Sequence, residues 1–348
     1  MFFALLFALI AIFAGAKLEP DFRRDYLSRS STGAINGIFV LLIFLSHATS
    51  YLPMDGTGDN LYIVFQLFLG QLIVTTFLFY SGYGMMTSFL KKGADYVRTV
   101  FPRRFCRVFL HFDLAVLLYI PVRFLIGEPP TPGAIAYALI TWGSLGNSNW
   151  YITAVLCLYL IFLVSFAVFR KHPLAGLITA SALTLALFFF FRAIGRSAFT
   201  YNTILLFPFG MWYAYLAPHI EKLLWKNRAF YFGALALAVV AFAYLWRRKG
   251  GHSLWFSAFG CAFVAIIVLT SMRLKVSNPV LDFFGQHVFS IYILERIPMI
   301  LLQHFGFAQN GFVFVIASLA LTVPLALGFD FAMAKLDTLL FDRKKAVQ

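Results

Sequence analysis

The chain has 348 residues, of which 61% are hydrophobic, 19% aromatic and only 12% charged. Soluble domains carry about 25% charged residues, so half that share, spread between repeated apolar runs of about 20 residues, excludes a soluble protein and indicates a polytopic membrane protein. The formal net charge of +14 does not mark a nucleic-acid binder, because the basic residues fall in short loops between apolar runs, the signature of membrane topology.

Taken in chain order, the apolar runs predict eleven candidate spans at 2–16, 34–52, 61–88, 107–126, 150–169, 174–191, 203–217, 229–246, 254–272, 281–303 and 311–334. The first lacks a basic n-region and is read as a helix rather than a signal peptide. Most Lys and Arg residues lie in alternate loops, at 17–29, 91–107, 170–171, 222–228, 273–275 and 335–345. The opposite loops hold Arg123, Arg192, Arg196 and the run Arg247-Arg248-Lys249, which goes against the bias. The positive-inside rule then puts the N-terminus outside and the C-terminus in the cytoplasm. The expected fold is an all-α transmembrane bundle of about 10–11 spans. An extra span and basic loop occupy 1–30, one membrane domain 31–336, and a basic cytoplasmic tail 337–348. Loops 53–60 and 127–149, rich in Gly, Pro, Ser, Thr and Asn, suit a solvated outer mouth. Cys106, Cys157 and Cys261 are scattered and the His residues form no ligand-spaced pair, so neither a disulfide framework nor a metal site is expected.

Several residues stand out against this apolar background. His47 closes the run 37–47, and an ionisable group inside a span is a functional candidate; the alternative is a hydrogen bond that joins two helices. Asn36 precedes it by three helical turns, about 16 Å along the same face. Tyr80-Ser81-Gly82-Tyr83-Gly84 leads into the basic loop with Arg103, Arg104 and Arg107. Its glycines suit close helix packing, and its arginines suit either phosphate groups or lipid headgroups. Trp150 and Tyr151 open a span at the outer side, as interfacial anchors or as a stacking surface for a sugar. The segment 284–298 carries Tyr292, Glu295 and Arg296 within a span. Neighbours on a helix point about 100° apart, so Glu295 and Arg296 need partners on other helices or a wet cavity. Asp330 poses the same question.

In this order, the segments resemble the membrane acyltransferase-3 family, integral-membrane O-acyltransferases that modify bacterial surface polysaccharides. The similar pieces are 37–47 ending in His47, Ser81-Gly82-Tyr83 followed by Arg103 to Arg107, Trp150-Tyr151 with Tyr159, and 284–298. The resemblance covers roughly residues 30–335. It implies transfer of an acyl group, usually acetyl from cytoplasmic acetyl-CoA, to a hydroxyl of a cell-surface or lipid-linked glycan in the bacterial cytoplasmic membrane. It also implies a catalytic role for His47, as general base or as transient carrier of the acyl group, and contacts from Arg103, Arg104 and Arg107 to the CoA phosphates. Ser81, Trp150, Tyr151, Tyr292 and Glu295 become candidate substrate contacts. Two departures stand out: Asn36 occupies a place where a cation is common, with Arg29 or Arg23 as possible substitutes, and Glu295 stands where a His often follows. The expected partners are a glycan or lipid-linked glycan acceptor and membrane lipid, with no nucleic acid; any second transfer step would need a further protein. A transporter or flippase for a lipid-linked sugar or other polar solute is the competing expectation, since intramembrane charges also suit transport.

Overall fold

The computed structural model describes residues 15–54, 59–248 and 253–341, and within them the backbone is predominantly helical, with only two short strands. Strand β1 (Ala16–Leu18) leads to α1 (Arg29–Ala48) and a 3-10 turn at Thr49–Tyr51. Next come α2 (Asp59–Leu69), α3 (Leu72–Lys92), α4 (Ala94–Val100), a π-helical turn at Phe101–Cys106 and α5 (Arg107–Leu125). They are followed by α6 (Pro132–Leu139), α7 (Trp150–Val168), α8 (Pro173–Ala193), the short α9 (Ala198–Tyr201), α10 (Leu206–Lys226), α11 (Arg228–Trp246) and α12 (Ser253–Ser271). Strand β2 (Leu274–Val276), α13 (Pro279–Gln286), α14 (Val288–Leu294), α15 (Arg296–His304) and α16 (Gly311–Leu340) complete the chain.

Seven helical stretches among the described residues are long and apolar enough to cross a membrane: Arg29–Tyr51, Ala94–Leu125, Trp150–Val168, Pro173–Ala193, Arg228–Trp246, Ser253–Ser271 and Gly311–Leu340. The molecule is thus an all-α polytopic bundle. Other expected spans are present but modified. The run 61–88 divides between α2 and α3 at Gly70, where φ is +45°. The run 203–217 becomes the longer α10, and 281–303 is broken at His287 and Glu295 into three helices. The loop 127–149, expected at the outer side, contains α6, while α16 extends to Leu340, into the segment expected to be a tail. Nearly all of the first expected span, together with Lys249 and 342–348, lies outside the described residues.

Two close helix pairs frame the interior, and glycines permit both. A Cβ on Gly37 of α1 would lie 1.9 Å from the Leu281 carbonyl oxygen, and one on Gly285 of α13 would lie 2.0 Å from that of Gly33. Between α3 and α10, a Cβ on Gly82 would meet the Phe207 carbonyl oxygen at 2.0 Å and one on Gly210 that of Phe79 at 2.1 Å. Small residues let backbones approach in this way inside a membrane, where packing replaces the hydrophobic drive between helices.

One end of the bundle gathers basic loops. There β1 and β2 pair antiparallel, Ala16 opposite Val276. Arg228 and Arg273 donate to the Pro20 and Glu19 carbonyls at 3.2 and 3.0 Å. Tyr26 is buried, its hydroxyl donating to Glu221 Oε1 at 2.7 Å beside that of Tyr213. Ser28 caps α1 by accepting from the Ser31 amide, which satisfies one of the free N–H groups of the first turn. The Ser31 hydroxyl, 2.8 Å from Asp25 Oδ2, and Arg23 beside it hold the Asp25 carboxyl below its ordinary range. These contacts fix the entry of α1, and with it the level at which His47 sits.

Candidate active site

One stripe of helix α1 carries Arg29, Thr32, Asn36 and His47, with the apolar Ile43 between the last two. Arg29, Thr32, Asn36, Ile43 and His47 are spaced by three, four, seven and four residues, which keeps them on one face. The first four of them line a cavity of about 600 Å³. The facing wall comes from α3, whose backbone is pressed against α10 at Gly82, so that Tyr80, Ser81 and Gly84 border the same space. The walls are mostly apolar. Two cations, Arg29 and Arg104, line the cavity on the side of the basic loops, and Tyr151 and Tyr292 line its other end. Asn36 Oδ1 is buried there with no hydrogen-bond partner among the described residues.

Beyond Tyr292, His47 closes α1. The Tyr292 ring lies 6.0 Å from the imidazole and 5.8 Å, edge-on, from Tyr151. His47 Nδ1 is hydrogen-bonded to Glu295 Oε1. The Glu295 side chain is 0% exposed and that of His47 16%, so the carboxylate meets no water while the imidazole keeps one open edge. With Glu295 as a carboxylate and the imidazole neutral, Nδ1 donates and Nε2 keeps its lone pair. This is the orientation an imidazole needs to take a proton from an incoming group. Glu295 sits at the one-residue pause between Leu294 and Arg296, its backbone still helical and its amide donating to the Ile291 carbonyl at 2.9 Å. The Tyr119 hydroxyl donates to the Ile293 carbonyl at 2.7 Å beside this pause, giving a partner to a backbone group inside the membrane.

A scan against models of protein families matches residues 34–330 to an acyltransferase domain. The chain belongs to the membrane acyltransferase-3 family. No curated protein and no solved structure matches it.

The sequence-derived site residues of this acyltransferase divide into three groups. His47, Glu295, Tyr292 and Tyr151 come together, as above, and Ser81 lines the cavity with its hydroxyl 3.3 Å from that of Tyr159. Of the three arginines only Arg104 reaches the cavity. Arg107 pairs with Asp337 at 3.2 Å, and Arg103 stands exposed on the π-helical turn, away from the cavity lining. Trp150 also departs from its neighbour Tyr151: its ring meets Phe199 at 6.3 Å and lines a separate groove.

At the end of the acyltransferase remote from the basic loops, Tyr51 is the central residue, and sequence reading did not single it out. Arg296 donates to its hydroxyl at 3.3 Å and to Ser148 Oγ at 3.0 Å. Gln303 donates to its carbonyl at 3.4 Å. Two recesses of about 400 and 310 Å³ share Tyr51 and Gln303 and are largely polar. The signal available in the sequence was distance alone: Tyr51 follows His47 by one helical turn. His47 therefore lies between an apolar cavity edged by cations and a polar surface at the opposite end.

Proposed function

We propose that this acyltransferase moves an acyl group, acetyl being the family's usual one, from acyl-CoA to a hydroxyl of a cell-surface or lipid-linked glycan at the bacterial cytoplasmic membrane. The observation that carries this reading is the His47–Glu295 pair standing just past the inner end of a cavity edged by Arg29 and Arg104. The donor is a substrate with anionic phosphates at one end and a thin arm bearing the thioester at the other. Arginine forks suit the phosphates, and mostly apolar walls suit the arm. The cavity falls within the usual range for small-molecule sites, about 300–1,000 Å³. Arg29, two turns before Asn36, supplies the cation that Asn36 does not. The basic end then faces the cytoplasm, following the positive-inside rule, and the Tyr51 recesses face the acceptor.

In the reaction, His47 Nε2 takes the proton of the acceptor hydroxyl as its oxygen bonds to the thioester carbonyl carbon. The C–S bond breaks, the imidazolium returns the proton to the leaving sulfur, and free thiol and ester result. Glu295 keeps the imidazole oriented and is the counter-charge to its protonated form, the part a carboxylate plays beside a catalytic His elsewhere. Acyl transfer accounts for these features and the family assignment better than transport of a polar solute does.

The test is thiol release by purified protein given acetyl-CoA and glycan, with the esterified product identified by mass spectrometry. Removal of a general base typically costs about 10²–10⁴ in rate, and His47→Ala is expected to fall in that range. Wild-type transfer by a normally inserted His47→Ala protein would refute the mechanism.

A further inference from the structure

A groove of about 390 Å³ at the end away from the basic loops is separate from both the cavity and the Tyr51 recesses. Trp142, Trp150 and Phe199 give it aromatic walls, and Arg196, Asn149 and Ser197 supply polar groups. Two unusual backbone positions build it. Thr141 has φ +62°, a region β-branched residues rarely enter. Its carbonyl is held there by Asn149 Nδ2 at 2.7 Å and Thr153 Oγ1 at 2.8 Å. Gly195, at φ +71°, turns the chain so that Arg196 faces Trp142.

Arg196 is the chemically informative residue. Its guanidinium lies 4.5 Å over the Trp142 ring, and Nη1 donates to the Trp142 carbonyl at 3.2 Å. Its Nε is buried with no hydrogen-bond partner among the described residues, which costs free energy, while the side chain as a whole stays part-exposed and lines the groove. No Asp or Glu lines the groove, so the cation has no counter-charge there. Aromatic faces beside it carry negative quadrupole density, which attracts the C–H edges of a sugar ring.

We infer that this groove binds a sugar unit bearing a carboxylate or phosphate, a part of the acceptor chain away from the hydroxyl that reacts. The groove is linked to the His47 site by structure. Trp150 precedes Tyr151 on α7, and successive ring contacts of 6.1, 5.8 and 6.0 Å run from Trp150 through Tyr151 and Tyr292 to His47. The loop that carries Trp142 also contacts the Tyr51 recess, where Arg123 Nε donates to the Leu145 carbonyl at 2.7 Å. A saccharide extending from the Tyr51 recess therefore crosses this loop into the groove. That link favours the acceptor over a lipid headgroup, for which contact with the site has no purpose. Assignment of the sugar to the acceptor rests on the acyl-transfer reading; the binding itself does not.

The experiment titrates the full-length protein, in nanodiscs of neutral phosphatidylcholine, with oligogalacturonate and with a maltooligosaccharide of equal length. The acidic probe is expected to bind with an affinity that falls as salt rises, and the neutral probe at least tenfold more weakly. Arg196→Gln should lose at least tenfold in affinity for the acidic probe and Arg196→Lys less, with the KM for acetyl-CoA unchanged in both. Phe199→Ala should weaken binding as well and stands in if Arg196→Gln fails to fold. Equal binding of the two probes, or undiminished binding by these variants, overturns the proposal. So does loss of acidic-probe binding when phosphatidylglycerol replaces phosphatidylcholine, which would identify a headgroup site. If wild-type protein shows no acyl-CoA turnover, the acyl-transfer reading fails on its own, while the titration still decides what the groove binds.

Discussion

At the scale of single residues, the site depends on which side chains the backbone brings together. His47 and Glu295 are each conspicuous in the sequence as ionisable groups in apolar runs. Their pairing is not, because 248 residues separate them. The same holds for Arg296, which finds Ser148 and Tyr51 on other segments. Glu295→Gln leaves a carbonyl that still accepts from Nδ1 but removes the negative charge. Its kcat is expected to fall less than that of His47→Ala, with the KM for acetyl-CoA unchanged, and steady-state kinetics on both variants checks this order. Among the arginines the sequence offers three equal candidates, whereas a π-helical turn, wider than the α-helical period assumed in reading the pattern, sends them to different places. Arg104→Gln should raise the KM for acetyl-CoA by roughly tenfold or more, the size of a lost charge-assisted bond, while Arg103→Gln should leave it unchanged.

At the scale of elements, most helices were legible from apolar length alone, since a span must satisfy its own backbone and needs about 20 apolar residues to do so. The interruptions were not. Around Glu295 the one signal is Pro298, which has no N–H to donate to the Leu294 carbonyl four residues earlier. The break persists because partners on other helices take up the polar groups, Tyr119 at the Ile293 carbonyl and His47 at the carboxylate. A similar arrangement holds the break at His287, where Asp330 of α16 accepts from His287 Nδ1 at 2.5 Å and from Ser290 Oγ at 2.9 Å. The Ser81-Gly82-Tyr83 segment shows two functions divided between neighbours. Gly82 fixes the backbone against α10 and Ser81 faces the cavity. Gly82→Leu should therefore destabilise the protein by about 1–3 kcal/mol or more through overpacking, read as a lower thermal midpoint in detergent. Ser81→Ala should leave the midpoint nearly unchanged.

At the scale of the whole molecule, the separation of basic and polar ends accords with two substrates that approach from opposite sides. Oriented proteoliposomes provide the check: acetyl-CoA supplied at the basic end should support transfer, and acetyl-CoA confined to the other side should not. Composition foreshadowed this polarity, because the loop charges alternate along the sequence, but not the two recesses, which arise from contacts between distant segments such as Tyr51 with Gln303. The distance along the chain between His47 and Glu295 also bears on how the protein is made. Synthesis runs from the N-terminus, so α1 enters the membrane long before α14 and α15 exist. During that interval His47 has no carboxylate beside it, and the glycine face of α1 lacks α13. A nascent chain arrested before residue 279 thus displays an unpaired imidazole and an open helix groove. Both are covered only when the last third of the chain has been made and packed against α1.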